Sequence, residues 1–239
     1  QIVDLLNAGG NTLRNYTTIQ LCANNATAGQ TCLVWPGTYN ERISFSRSGT
    51  SGNRITFKAA NPRTVIMQGF ILSGDYLTVQ GFDITHNLTG YTDAGILISG
   101  DNIDVIDNYI YNLRASGIYG LGTFPTNIPS NVNIINNKIY ASAKGFMVMG
   151  NNWVIEGNEV ERLVRYADDP ATEDSDFARV FGENITFRRN WFHGNVNWQD
   201  ICPAGIPAYD ASVCSHTDCW QTFGNNGYWA RNVLIEENI

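Results

Sequence analysis

Apolar and polar positions along this chain alternate in short runs, and no helical period is sustained after residue 50. A segment that opens and closes on asparagine around alternating apolar residues recurs at Asn102–Asn108, Asn131–Asn137, Asn152–Asn158, Asn184–Asn190 and Asn232–Asn238. Two earlier copies, starting at Asn53 and Asp75, keep the alternation without the closing asparagine. Ahead of the later copies lies a second short apolar run ending on Gly100, Gly122, Gly150, Gly182 or Gly224. Alternation bounded by turn residues is the strand signal, so each repeat reads as strand, turn, strand, turn. The shortest repeat is about 21 residues, and longer ones carry insertions. Such units cannot bury an apolar face alone and must stack into parallel sheets with one rung per coil.

The pattern predicts an all-β, right-handed parallel β-helix. The recurring asparagines, tolerant of left-handed backbone and able to bond neighbouring coils, are expected to form a ladder, with Asn108, Asn137, Asn158, Asn190 and Asn238 in one column. A leucine-rich repeat has a similar period, but leucine does not hold the framework positions. One domain is expected over 1–239. Residues 1–50 form a cap and first coil, with a short helix between Thr17 and Asn24 closing the stack, and 51–239 form the stacked coils. The chain ends at Ile239 just after a ladder position, which implies either further coils or a covering partner, self-association included.

Composition adds a compartment and excludes some partners. Hydrophobic residues make up 43% of the 239 residues and charged residues only 15%, so the surface is coated with Asn, Ser, Thr and Gly. No stretch reaches the roughly 18 apolar residues of a membrane span. A net charge of -7 without a basic stripe argues against nucleic acid. Cys22 and Cys32 flank one loop, and Cys202, Cys214 and Cys219 crowd another; no CxxC pair accompanies them, so disulfides are expected rather than zinc. Cys22 is expected to pair with Cys32, and Cys202 with Cys214 or Cys219. A first residue of Gln fits removal of a signal peptide or a fragment of a longer chain, and the protein is read as secreted.

Aligning the second strands on their terminal glycines makes a grid. Three residues before the glycine, the column reads Leu97, Tyr119, Met147, Arg179, Gln221; six before, Ala94, Ser116, Lys144, Asp176, Asp218; eight before, Thr92, Arg114, Ser142, Asp174, His216. The first of these columns is expected to point outward, since side chains alternate along a strand. Neutral early coils give way to charged late ones. Lys144, Asp174, Asp176, Arg179, His216, Asp218 and Gln221 therefore gather on successive rungs, beside two long insertions at 163–175 and 195–215 that would wall a cleft. The plain alternative is that these are turn residues and that Arg179 merely pairs with Asp176.

The segments Tyr16–Asn25, Gln30–Phe45 and Ser51–Pro62 resemble the N-terminal cap and first coil of the pectate-lyase-like superfamily. That resemblance implies a polysaccharide partner and a lyase that cleaves a uronate-containing polymer by calcium-assisted β-elimination. Asp174, Asp176 and Asp218 would hold Ca²⁺, helped by Asp168, Asp169 or Glu173 from the loop; Lys144 or Arg179 would be the base, His216 a proton donor or substrate contact, and Gln221 and Tyr119 substrate contacts. Two other functions fit the same residues. Asp176 and Asp218 could serve a glycoside hydrolase, or Tyr119, Met147, Phe181 and Phe223 could line a non-catalytic surface that is structural or binds glycan.

Overall fold

The computed structural model describes residues 1–90, 92–165, 174–194, 197–202, 205, 207–208, 210, 214–224 and 227–239, with the Trp198 side chain excepted. Parallel strands wind into a solenoid with three sheets. Sheet 1 carries Ile96–Ile98, Ser116–Gly120, the leading halves of Lys144–Glu156 and Ala178–Arg188, and Trp220–Gln221. Sheet 2 carries Thr31–Val34, Ile55–Ala59, Leu77–Gln80, Ile103–Ile106, Ser130–Ile135, the trailing halves of the same two long strands, and Ala230–Glu236. Sheet 3 carries Asp83–Ile84, Tyr109–Tyr111, Lys138–Tyr140, Glu159–Glu161 and Trp191–His193. Inward side chains meet across the interior, as in the ring series Phe45, Phe57, Phe70 and Phe82, in which Phe45 and Phe70, in register with sheet 1, interleave with Phe57 of sheet 2 and with Phe82, centroids 5.1, 5.5 and 5.2 Å apart.

The late coils run sheet 1 into sheet 2 without a break, which the sequence pattern reads as two separate strands. The bend falls at Gly150 and Gly182. Gly182 has φ +116°, and a Cβ there would lie 1.8 Å from the Gly150 carbonyl oxygen, so the corner admits no side chain.

The asparagine ladder is present at the corner between sheets 2 and 3. Asn108 Nδ2 donates to Asn137 Oδ1 (3.0 Å), Asn137 to Asn158 (3.0 Å), Asn158 to Asn190 (3.0 Å) and Asn190 to Asn238 (2.9 Å). The two asparagines of each repeat divide the work. Those that open it (Asn102, Asn131, Asn152, Asn184 and Asn232) take left-handed φ of 51 to 59°, while those that close it form the ladder.

The N-terminal end is closed as expected, by a helix of five residues, Ile19–Ala23. Thr18 caps it by accepting from the Leu21 amide at 3.1 Å, and the Glu41 carboxylate accepts from the Ile19 and Gln20 amides. Val3–Leu6 pairs antiparallel with both Thr12–Tyr16 and Thr31–Val34, which ends the parallel stack. Cys22 is bonded to Cys32 and Cys202 to Cys214, leaving Cys219 free and exposed. At the other end Ile235, in register with the fully buried Phe187, is 47% exposed. No helix among the described residues is long and apolar enough to cross a membrane.

Candidate functional site on sheet 1

Strand register reproduces the glycine-aligned grid. Leu97, Tyr119, Met147, Arg179 and Gln221 are consecutive partners across sheet 1, and Ser116 pairs with Lys144. The Gly145 amide donates to the Asp176 carbonyl, Phe177 to Asp218 and Ser175 to His216, which carries the two outer columns up the stack.

The polar side chains converge on Arg179. Its Nε donates to Asp176 Oδ2 (2.9 Å), and one terminal nitrogen contacts both Asp176 (2.7 Å) and Asp174 (3.0 Å). Gln221 Nε2 donates to Asp174 Oδ2 (2.9 Å) and, at 3.4 Å, to Asp218 Oδ2. His216 Nδ1 lies 3.3 Å from Asp218 Oδ2 at the rim. The turn-residue expectation of an Arg179–Asp176 pair is thus met, but inside a larger network that joins two coils, with Lys144 of the preceding coil near enough to act on Asp176. Asp168, Asp169 and Glu173 lie outside the described residues.

Depth separates these groups. Lys144 and Asp176 are buried, the latter with no exposed surface, whereas Asp174, Asp218 and especially His216 reach solvent. Burial pushes the Asp176 carboxyl up from 3.8 to about 6; Arg179 opposes this, Asp174 adds to it, and Lys144 lowers it. Asp176 Oδ1 has no hydrogen-bond partner among the described residues. Below pH 3.8 this group is protonated whether folded or not. Between 3.8 and about 6 only the folded protein keeps the proton, so its contribution to stability is lost as pH rises through that window. Denaturant unfolding from pH 4 to 7 is expected to show wild type losing on the order of 2 kcal/mol relative to Asp176→Asn. A pH-independent difference would mean that the carboxyl is ionised throughout.

Tyr119 and Met147 do not face solvent. The parity rule placed them outside the solenoid, and there they are, but they are buried with Leu97, Met149, Phe181 and Ile128 in a second apolar cluster separate from the core. Residues 121–129 and the described parts of 222–229 fold over sheet 1 and cover them: Phe124 stacks on Tyr228 at 5.1 Å, and Phe181 meets Phe223 at 4.9 Å and Tyr228 at 5.1 Å. Met149, one coil before Phe181 in the same column, and Tyr228, in a segment without periodicity, belong to this cluster as well. Arg179 sits at the boundary of the polar and apolar halves, with Cζ 5.9 Å from the Phe223 ring centroid.

The calcium ligand set fits poorly as placed. The guanidinium of Arg179 occupies the position between Asp174 and Asp176 that a cation would take, and Asp176 offers solvent no surface. Among the described residues, the ligand atoms that all lie within 4.8 Å of one another belong to Glu159, Glu161 and His193 on sheet 3. The sequence reading missed this group, although the three residues recur at fixed distances after the ladder asparagines. Lys138 already fills it, contacting Glu159 at 3.1 Å and Glu161 at 2.8 Å.

A family model for the right-handed β-helix region matches residues 68–238. The uncharacterized protein YwoF of Bacillus subtilis is 26% identical over 125 residues, covering 44% of this chain and 26% of that protein, so the chain matches about a quarter of its length. Among solved structures, an alginate lyase from Paenibacillus sp. str. FPU-7 superposes with a TM-score of 0.61 at 14% identity, covering 98% of this chain and 93% of the other. A pectin methylesterase from Aspergillus niger gives a TM-score of 0.49 at 11% identity over 98% of this chain and 84% of the other. At these identities the likeness is one of fold.

Proposed function

The chain belongs to the right-handed β-helix family, and from that premise we propose that it is an extracellular polysaccharide-active enzyme, a lyase that cleaves a uronate-containing polymer by β-elimination on the outer face of sheet 1. The observation that carries this reading is the joining of Lys144, Arg179, Asp174, Asp176, His216, Asp218 and Gln221 on successive rungs of one face. The likeness in fold to an alginate lyase supports it, and the two disulfides support a secreted location.

In this scheme Lys144 takes the proton α to the uronate carboxyl. The electron pair left behind forms a carbon–carbon double bond as the bond to the glycosidic oxygen breaks, and His216 at the rim returns a proton to the departing oxygen. Arg179, held in place by Asp174 and Asp176, faces the carboxylate on which charge accumulates. Gln221 contacts the flanking sugar, while Tyr119, covered in the apolar half of the face, lines the cavity beside it. Calcium enters no step, because Arg179 stands where it would bind.

The test is incubation with a panel of uronate polymers, with added calcium or with a chelator, followed by ultraviolet absorbance of the unsaturated product. Absorbance should rise, and the chelator should change the rate by less than about twofold. Loss of activity with chelator would return a metal to Asp174 and Asp218. The raised Asp176 carboxyl beside other carboxylates favours a second reading, a two-carboxylate hydrolase; reducing ends without the absorbance would select it. Glycan binding without either product would make the protein a non-catalytic binding scaffold.

A further inference from the structure

The apolar half of the sheet 1 face holds a cavity of about 220 Å³, lined by Tyr119, Met147, Met149, Phe181, Phe223 and Tyr228, with Arg179 at its edge. Well-packed interiors leave few voids larger than one water. This one holds about seven water volumes, so it is not accounted for by loop packing alone. Its mouth is accessible, since Phe223 is 44% exposed.

The walls restrict what can enter. Among the described residues Arg179 is the one charged group in the lining, and both Asp174 and Asp176 already engage its guanidinium. A second anion placed here would lose its hydration and would have to share one guanidinium with two aspartates and with the uronate carboxylate of the polar site. Thioether and ring faces instead favour a compact uncharged group with apolar surface. A lone methyl would leave most of the volume empty, whereas an acetyl ester with the edge of its sugar ring approaches it. The cavity shares Arg179 with the polar site, so its occupant belongs to the sugar at or next to the reacting uronate.

We propose that this cavity is a subsite for an O-acetyl group, and that the substrate is an O-acetylated polyuronate rather than a bare one. The proposal rests on the reading of sheet 1 as a uronate-binding face.

The test uses one polyuronate before and after chemical O-acetylation, with binding measured by calorimetry and turnover by ultraviolet absorbance. Wild-type protein should bind the acetylated polymer roughly five- to tenfold more tightly, the return expected for burying a group of this size. Phe223→Ala and Tyr228→Ser, each checked for unchanged thermal unfolding, should bring that ratio close to one. Equal affinity of wild type for the two polymers would overturn the subsite, as would a preference that survives both substitutions. A preference in binding with no turnover of either polymer would keep the subsite and remove the lyase.

Discussion

Lys144→Ala is expected to lower turnover of a uronate polymer by roughly 10²- to 10⁴-fold, the range a positioned proton acceptor contributes. Lys144 is nine-tenths buried and near enough to Asp176 to lower its pKa, so it sits inside the polar network rather than on a solvated surface. The loss should fall on kcat with little change in KM, because a proton acceptor acts in the transition state while the flanking contact through Gln221 persists. Arg179→Lys should also lower activity sharply. A single ammonium cannot reproduce the paired contacts to Asp174 and Asp176, and loses the planar group that faces Phe223. If Lys144→Ala retained more than about a tenth of wild-type turnover, the base would have to be sought elsewhere on the face.

Asn158→Ala is expected to be the most damaging single change to stability, roughly 3–5 kcal/mol. Asn158 is buried and accepts from the Asn137 amide (2.8 Å) and side chain (3.0 Å). It also donates to Ile134 O (2.8 Å), Glu156 O (3.1 Å) and Asn190 Oδ1 (3.0 Å). Alanine would strand donors and acceptors of two neighbouring coils where water cannot reach them. A fall in Tm of about 10 °C is the corresponding readout for a chain of this size. Asn184→Ala provides the comparison. Asn184 is exposed, its side chain bonds Asn152 and Asn232 along the surface and no other described residue, and it holds a φ of 59°, so about 1 kcal/mol for the backbone preference is all that is expected. Equal losses at the two positions would mean that the buried column is no more important than the surface one.

These two asparagine columns also show how far the sequence could be read. The six-residue spacing marks both, and which one carries the ladder follows only from which side chain is inside. The left-handed residues immediately before the ladder, Asp107, Asn136, Gly157, Arg189 and Glu237, share no residue type, because the turn geometry fixes them whatever their type. Glycine alignment recovered the register of sheet 1, since Gly150 and Gly182 are sterically required where the strand bends. It could not reveal that Tyr119 and Met147 are covered. The covering residues, Phe124, Phe223 and Tyr228, lie in segments with no periodicity, and alternation reports only which side of a sheet a residue occupies. The sheet 3 cluster of Lys138, Glu159, Glu161 and His193 escaped because its strands are three residues long, too short for a pattern to stand out.

The ladder corner has a consequence for how such a protein can change. Successive ladder asparagines are 29, 21, 32 and 48 residues apart in sequence, yet every side-chain bond between them is 2.9 to 3.0 Å long. Added length is absorbed before and after sheet 1, while the turn from sheet 2 to sheet 3 stays fixed. Insertions and deletions at those two corners therefore leave the register of the coils intact, and they are also the corners that border the sheet 1 face. Variation in specificity is thus mechanically uncoupled from folding: loops from another coil could be transplanted between His193 and Ser215 without retuning the scaffold beneath them.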